Sequence, residues 1–223
     1  MIESWLRPIE RLALFARERK CRVIGFVSPD AGAGTSRVCE EVAQALARSG
    51  SKTLLLDLST LVQSLDKAPA WVPGAKGAAA SVTADRRGFE RLEAVATPDT
   101  RFLFNNVERL RWTMFDDLAA YQMIVVDLPS VLDAGADALN GVAMAAACDA
   151  AYLVCRMSQI TRPRLERTVK QLKGGGVEIA GTVLNDATAD MPGGMRLRKA
   201  VRGSPTRRLG AWIESKLLEQ QLN

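Results

Sequence analysis

The chain has no histidine, and its four cysteines (Cys21, Cys39, Cys148, Cys155) form no Cys-x-x-Cys pair. A zinc site built from Cys and His is thereby excluded, and a disulfide framework is disfavoured. Aromatic residues make up only 5%, with Tyr121 and Tyr152 the two tyrosines. No apolar run approaches the roughly 20 residues that a membrane-spanning helix needs. The first twenty residues, MIESWLRPIERLALFARERK, lack the unbroken apolar stretch and small-residue cleavage site of a signal peptide. The expected location is cytoplasmic.

What is present suits one globular unit. At 223 residues with 48% hydrophobic content, the chain can bury one sizeable core. The net charge is +5, unevenly spread. Between Met191 and Ile213 stand Arg196, Arg198, Lys199, Arg202, Arg207 and Arg208, with no acid among them. Such a cluster is either a solvated tail or a contact for an anionic surface, whether lipid headgroups, nucleic acid or an acidic partner. Only Trp212 interleaves it, so base stacking has little support and nucleic acid is a disfavoured partner.

Periodicity orders the elements. Residues 4–19 carry Trp5, Leu6, Ile9, Leu12 and Phe15 at helical spacing. The apolar run 22–27 reads as a strand, the glycine-containing stretch 28–35 as a loop, and 36–50 as an amphipathic helix ending on Gly50. A second buried strand is expected at 52–58, so the first third is a βαβ unit. Residues 60–100, rich in Pro, Gly and Ala, are expected to loop over the surface. Further on, the expectations are a short strand at 101–105, a helix near 112–120, a strand at 121–130 and a small-residue helix at 134–147. A strand at 150–156, a helix from Thr161 to the Gly174–Gly176 break, a strand at 177–186 and a terminal helix complete the order. Apolar strands without alternation, separated by helices, imply a mostly parallel sheet covered on both faces, an α/β fold.

The chemistry concentrates in PDAGAGTSR, residues 29–37. In G-x-x-x-x-G-K-[ST], backbone N–H groups wrap the phosphates, a lysine neutralises them and a hydroxyl holds magnesium. Here Gly32 and Gly34 supply the flexible backbone and Ser36 the hydroxyl. Pro29 replaces the first glycine, and Thr35 stands at the lysine position. Arg37 is a cation one position late. Asp57 and Asp127 end two apolar strands, at the carboxyl edge where α/β sheets bind ligands. Asp127 would hold magnesium through water, and Asp57 would polarise a nucleophile or support the metal. Alone, each such aspartate could equally cap a turn.

Taken together, GAGTSR, LLLDLS and IVVDLPS resemble the motifs of the bacterial tyrosine kinases (BY-kinases) and their wider ParA/MinD relatives among the P-loop ATPases. The likeness continues through CDAAYLVCRMSQITRPRLERTVKQLKGGGVEIAGTVLN and covers roughly residues 20–186. It implies a P-loop NTPase-like domain at 21–190, between an N-terminal amphipathic helix (1–20) and a basic C-terminal tail and helix (191–223). It also implies ATP or ADP with magnesium as ligands, and Asn185 as the residue that reads adenine.

The departures matter as much as the matches. The lysine is Thr35, the signature lysine of ParA-type ATPases falls at Asp30, and the second Asp of Asp-x-Asp is Ser59. There is no C-terminal tyrosine cluster, and the oligomerisation motif Glu-x-x-Arg-x-x-Arg has only a stretched counterpart in Glu3, Arg7 and Arg11. The first expectation is a regulatory or scaffold protein of surface polysaccharide synthesis or export, a pseudokinase with weak or no catalysis. Its implied partner is an inner-membrane protein of polysaccharide chain-length control or export. The alternatives are an active tyrosine kinase or ATPase with a deviant loop, and a ParA/MinD-type positioning ATPase. Homo-oligomerisation is left open.

Overall fold

The computed structural model describes Leu12 and residues 20–63, 71–97, 99–132, 139–156, 159–185 and 197–200. Apart from Leu12, which is helical and buried, the expected helix at 4–19 lies outside these residues, as do most of the basic tail and the terminal helix. Along the chain come β1 (Val23–Val27), α1 (Thr35–Arg48), β2 (Thr53–Gln63), β3 (Thr83–Ala84), β4 (Glu90–Ala96) and α2 (Val107–Trp112). β5 (Met123–Asp127), α3 (Gly141–Ala146), β6 (Ala150–Arg156), α4 (Arg162–Gly174), β7 (Ile179–Asn185) and β8 (Leu197–Ala200) follow.

The strands form one sheet in the order β3-β4-β2-β5-β1-β6-β7-β8. From β4 to β7 every neighbouring pair is parallel, whereas β3 and β8 run antiparallel at the two edges. Every residue of β1, β5 and β7 is buried, as expected for strands covered on both faces. On one face Phe26, Leu55, Val125 and Val154 meet Val38, Val42 and Leu46 of α1. The Phe26 and Tyr152 rings stack there at 5.4 Å between centroids. On the other face Val27, Leu56, Val126 and Leu153 share a core with Leu110, Met144, Leu165 and Leu172 from α2, α3 and α4. Gly50 follows α1 in a left-handed conformation (φ 84°), the expected helix stop.

Two expectations are overturned between residues 60 and 105. The sequence ERLEAVA is a strand, β4, paired parallel with β2. Its charged residues hid it, because Glu90, Arg91 and Glu93 break the apolar run. RFLFN is a 3-10 turn rather than a strand. Thr97 stops the chain beforehand, its carbonyl accepting from the N–H groups of Thr100 and Arg101 at 3.1 Å each. The turn buries Phe104 edge-on against Trp71 and leaves Phe102 67% exposed.

Residues 71–82 hold only a short 3-10 turn (Ala79–Ser81), yet Trp71 and Ala78 are buried in the core. One carboxylate oxygen of Asp117 accepts from Gly77 N (3.1 Å) and Ala78 N (2.8 Å), tying this segment to the turn after α2. An Asp117→Ala change leaves both donors without that acceptor. It is expected to cost about 1–3 kcal/mol, read as a lower urea midpoint.

Candidate functional site

The parallel order brings the ends of β1, β2 and β5 side by side, and the loop after β1 passes over that edge. Gly32 (φ 78°) and Gly34 (φ 83°) take the left-handed backbone that the turn into α1 needs. The loop is held at several points. Ser28 and Pro29 carbonyls accept from Val131 N and Leu132 N, both at 2.9 Å. Asn185 Nδ2, at the end of β7, donates to the Ala33 carbonyl at 2.8 Å. A Cβ at Gly34 would stand 2.3 Å from that Nδ2.

Asp57 and Asp127 are register partners on β2 and β5. Asp57 Oδ1 accepts from Ser59 N (3.1 Å) and Ser59 Oγ (2.7 Å), while its Oδ2 lies 3.8 Å from Arg91 Nη1. Asp127 is 1% exposed, and its Oδ1 has no hydrogen-bond partner among the described residues. Burial pushes its carboxyl up to about 7, and the charge of Asp57 adds to the rise. Hydrogen bonds from Ser36, Ser59 and Cys39 act in the opposite direction. Burial, followed by the charges of Asp127 and Asp57, raises the Cys39 thiol well above its ordinary value.

Ser36, Cys39 and Glu40 sit at i, i+3 and i+4 on α1, a polar stripe facing these carboxylates. Glu40 Oε1 is 2.7 Å from Arg91 Nη2, and its Oε2 is 2.9 Å from Arg87 Nη1. The hydrogen bond from Arg87 is the main force lowering the Glu40 carboxyl. Arg87 also grips Asp85 with two hydrogen bonds, at 3.0 and 2.9 Å, and holds its carboxyl down at about 2. This network reaches Asp57 through Arg91.

The structure thus brings Ser36, Asp57 and Asp127 together, beside the loop of Gly32 and Gly34. Thr35 is buried, 8% exposed, at the start of α1, and places no charge on the loop. Arg37 is exposed one residue beyond Ser36. Asn185 lies under the loop at 2% exposure, with Nδ2 engaged and Oδ1 lacking a partner among the described residues. Asp30 is answered by Arg164 of α4, whose Nε is 2.8 and 3.0 Å from its two carboxylate oxygens. Sequence reasoning missed Cys39, Arg91 and Arg164. The spacing of Ser36, Cys39 and Glu40 was a usable signal for the first, but no local pattern announces the two arginines.

No protein-family model matches the chain, nor does any curated protein. Solved structures do. The fold is the α/β arrangement of P-loop NTPase-like proteins, and its relatives in shape include bacterial tyrosine kinase domains and a MinD ATPase. The BceF tyrosine kinase domain superposes with TM-score 0.63 at 22% identity, covering 80% of this chain and 76% of that one. For the kinase domain of Escherichia coli tyrosine kinase ETK the values are 0.65, 19%, 84% and 77%. For the cell division ATPase MinD of Pyrococcus furiosus they are 0.55, 20%, 77% and 76%.

The donor set suits a magnesium nucleotide. Ser36 and Asp127 offer hard oxygen ligands, and the partnerless Oδ1 of Asp127 is a buried acceptor that a hydrated cation would satisfy. No group of three His, Cys, Asp or Glu side chains able to hold a metal occurs among the described residues. Magnesium keeps several waters and shares phosphate oxygens, so one hydroxyl and one carboxylate fit it better than a dedicated protein cage would. No helix among the described residues is long and apolar enough to cross a membrane.

Proposed function

We propose that this protein is a BY-kinase-like, nucleotide-binding regulator or scaffold of bacterial exopolysaccharide, capsule or adhesin synthesis and export. In this reading it is a pseudokinase, weak or inactive in phosphoryl transfer. The observation that carries it is a braced glycine loop beside Ser36 and Asp127, whose lysine position holds a buried and uncharged Thr35. Binding relies on backbone amides, the start of the 14-residue α1 and the Ser36 hydroxyl, all of which remain. Transfer relies on cationic stabilisation of the moving phosphoryl group. Loss of one such donor costs about 10²–10³ in rate.

Bound magnesium would neutralise phosphate charge. Ser36 and Asp127 would hold it, and Ser59 with Arg91 would keep Asp57 oriented beside them. Asn185 would offer an adenine amine its Oδ1 alone, since its Nδ2 is engaged with the loop. The proposed partner is an inner-membrane protein of polysaccharide chain-length control or export, met at the inner membrane surface. Likeness in shape to kinase domains supports the nucleotide reading; the polysaccharide role extends it.

Calorimetric titration of ATP and ADP with magnesium tests the reading. The unmodified protein is expected to bind with negligible turnover, and Thr35→Lys to bind about tenfold more tightly through the added cation. Rapid turnover by the unmodified protein would sink the pseudokinase reading. Silence from both proteins would sink the nucleotide reading.

A further inference from the structure

We propose that Arg164 is the phosphate-binding cation of this site and that Asp30 is its resident competitor, an anion supplied by the loop itself. The inference rests on the nucleotide-binding reading and names a residue which that reading does not use.

The first turn of α4 contains no acid, its N-cap Thr161 makes no side-chain capping bond, and both Arg162 and Arg164 stand there. Cations at a helix N-terminus oppose the helix dipole, so this placement is unfavourable unless anions answer it. Arg162 is answered from within the helix by Glu166, at 2.9 Å. Arg164 reaches out of the helix instead, to a residue 134 positions earlier. Its Nε contacts both oxygens of Asp30, and Nη2 closes the second arm of the fork on Oδ1. A guanidinium takes two phosphate oxygens in the same geometry. The positive end of the 13-residue helix adds to the potential that an anion meets there.

Asp30 is presented from a braced loop. Its carbonyl accepts from Ser28 Oγ at 2.8 Å, and the neighbouring Pro29 carbonyl is tied to Leu132 N. The loop that turns into α1 at Gly32 and Gly34 thus also presents the Asp30 carboxylate to Arg164. Both side chains of the pair are partly open to water, Arg164 at 46% and Asp30 at 25%. An ion pair this exposed holds weakly and exchanges readily. A nucleotide diphosphate brings more negative charge to the same guanidinium. In the exchange, phosphate oxygens take the two N–H arms of Arg164 and the Asp30 carboxylate passes to water. The arginine then adds positive charge to binding, while the lysine position itself, at Thr35, stays uncharged.

Calorimetry of Mg·ADP binding to the unmodified protein, Asp30→Asn, Arg164→Gln and the double variant tests this. Asp30→Asn is expected to tighten binding about threefold, the strength of so exposed a pair, and Arg164→Gln to weaken it about tenfold, with Arg164→Lys recovering part of the loss. In the Arg164→Gln background, Asp30→Asn is expected to change affinity less than about twofold, because the competitor has nothing left to occupy. Equal tightening in both backgrounds would mean that only a nearby negative charge had been removed, and would overturn the proposal. Unchanged binding by Arg164→Gln would overturn it while leaving the nucleotide reading intact. Silence from every variant, Thr35→Lys included, would overturn both.

Discussion

Without metal at pH 8, the Asp127→Asn variant is expected to be more stable than the unmodified protein by up to about 4 kcal/mol, and to lose magnesium-dependent nucleotide binding. The carboxyl of Asp127 rises from 3.8 to about 7 in the folded state, chiefly through burial. A raised folded value means that the native protein holds this proton more tightly than the unfolded chain does. Its contribution to stability is therefore complete below about pH 4 and lost as pH climbs through about 7. Asn is neutral throughout, so the variant should show a flat profile where the unmodified protein declines. The Asp85 carboxyl, held down at about 2, contributes in the opposite sense but well below this window. Urea unfolding at pH 5, 6, 7 and 8 reads the effect, and added magnesium should restore the unmodified protein alone. A metal-free protein that gained stability between pH 6 and 8 would contradict this account.

The second large effect is expected from Gly34→Ala, a loss of about 2–3 kcal/mol together with nucleotide binding. Two costs combine at this position. Its φ of 83° is unfavourable for any residue with a Cβ, and that Cβ would lie 2.3 Å from Asn185 Nδ2. To relieve the contact, Asn185 must release the Ala33 carbonyl, and the loop loses its brace. Gly32→Ala provides the comparison, because φ is 78° but nothing lies within 4 Å of a new Cβ. It should show the backbone cost alone, about 1–2 kcal/mol. Thermal melts and Mg·ADP titrations of the two variants measure the difference. Equal losses would argue that Asn185 does not brace the loop.

Much of the architecture was legible because the strands at its centre are continuous apolar runs. β1, β2, β5, β6 and β7 were all expected near their observed positions, as were α1 and α4. β4 was not, since it lies beside the two-residue edge strand β3 and carries Glu90, the ion-paired Arg91 and Glu93 among its apolar residues. RFLFN misled for the opposite reason. Two phenylalanines suggested an apolar strand, but one is core and the other solvent-exposed, a split imposed by the tight turn. At the site, Asp57 and Asp127 could be placed together because strand ends share an edge. The neutralisation of Asp30 could not be foreseen. Its partner is one arginine among several in α4, chosen by the three-dimensional approach of helix and loop.

The brace from Asn185 to Ala33 spans 152 residues, which gives the loop a place in time as well as in space. On the ribosome the glycine turn and α1 emerge before β5 and β6, and β1 must wait for those two strands before both its edges are paired. Asn185 emerges later still, as the last residue of β7. Such long-separation contacts form slowly and leave earlier segments waiting with their partners unmade. A nascent or truncated chain ending before β7 would carry the whole phosphate-loop sequence without its brace. The geometry of the glycine turn thus depends on the last strand of the parallel core, and a change at β7 is felt 152 residues away at the loop.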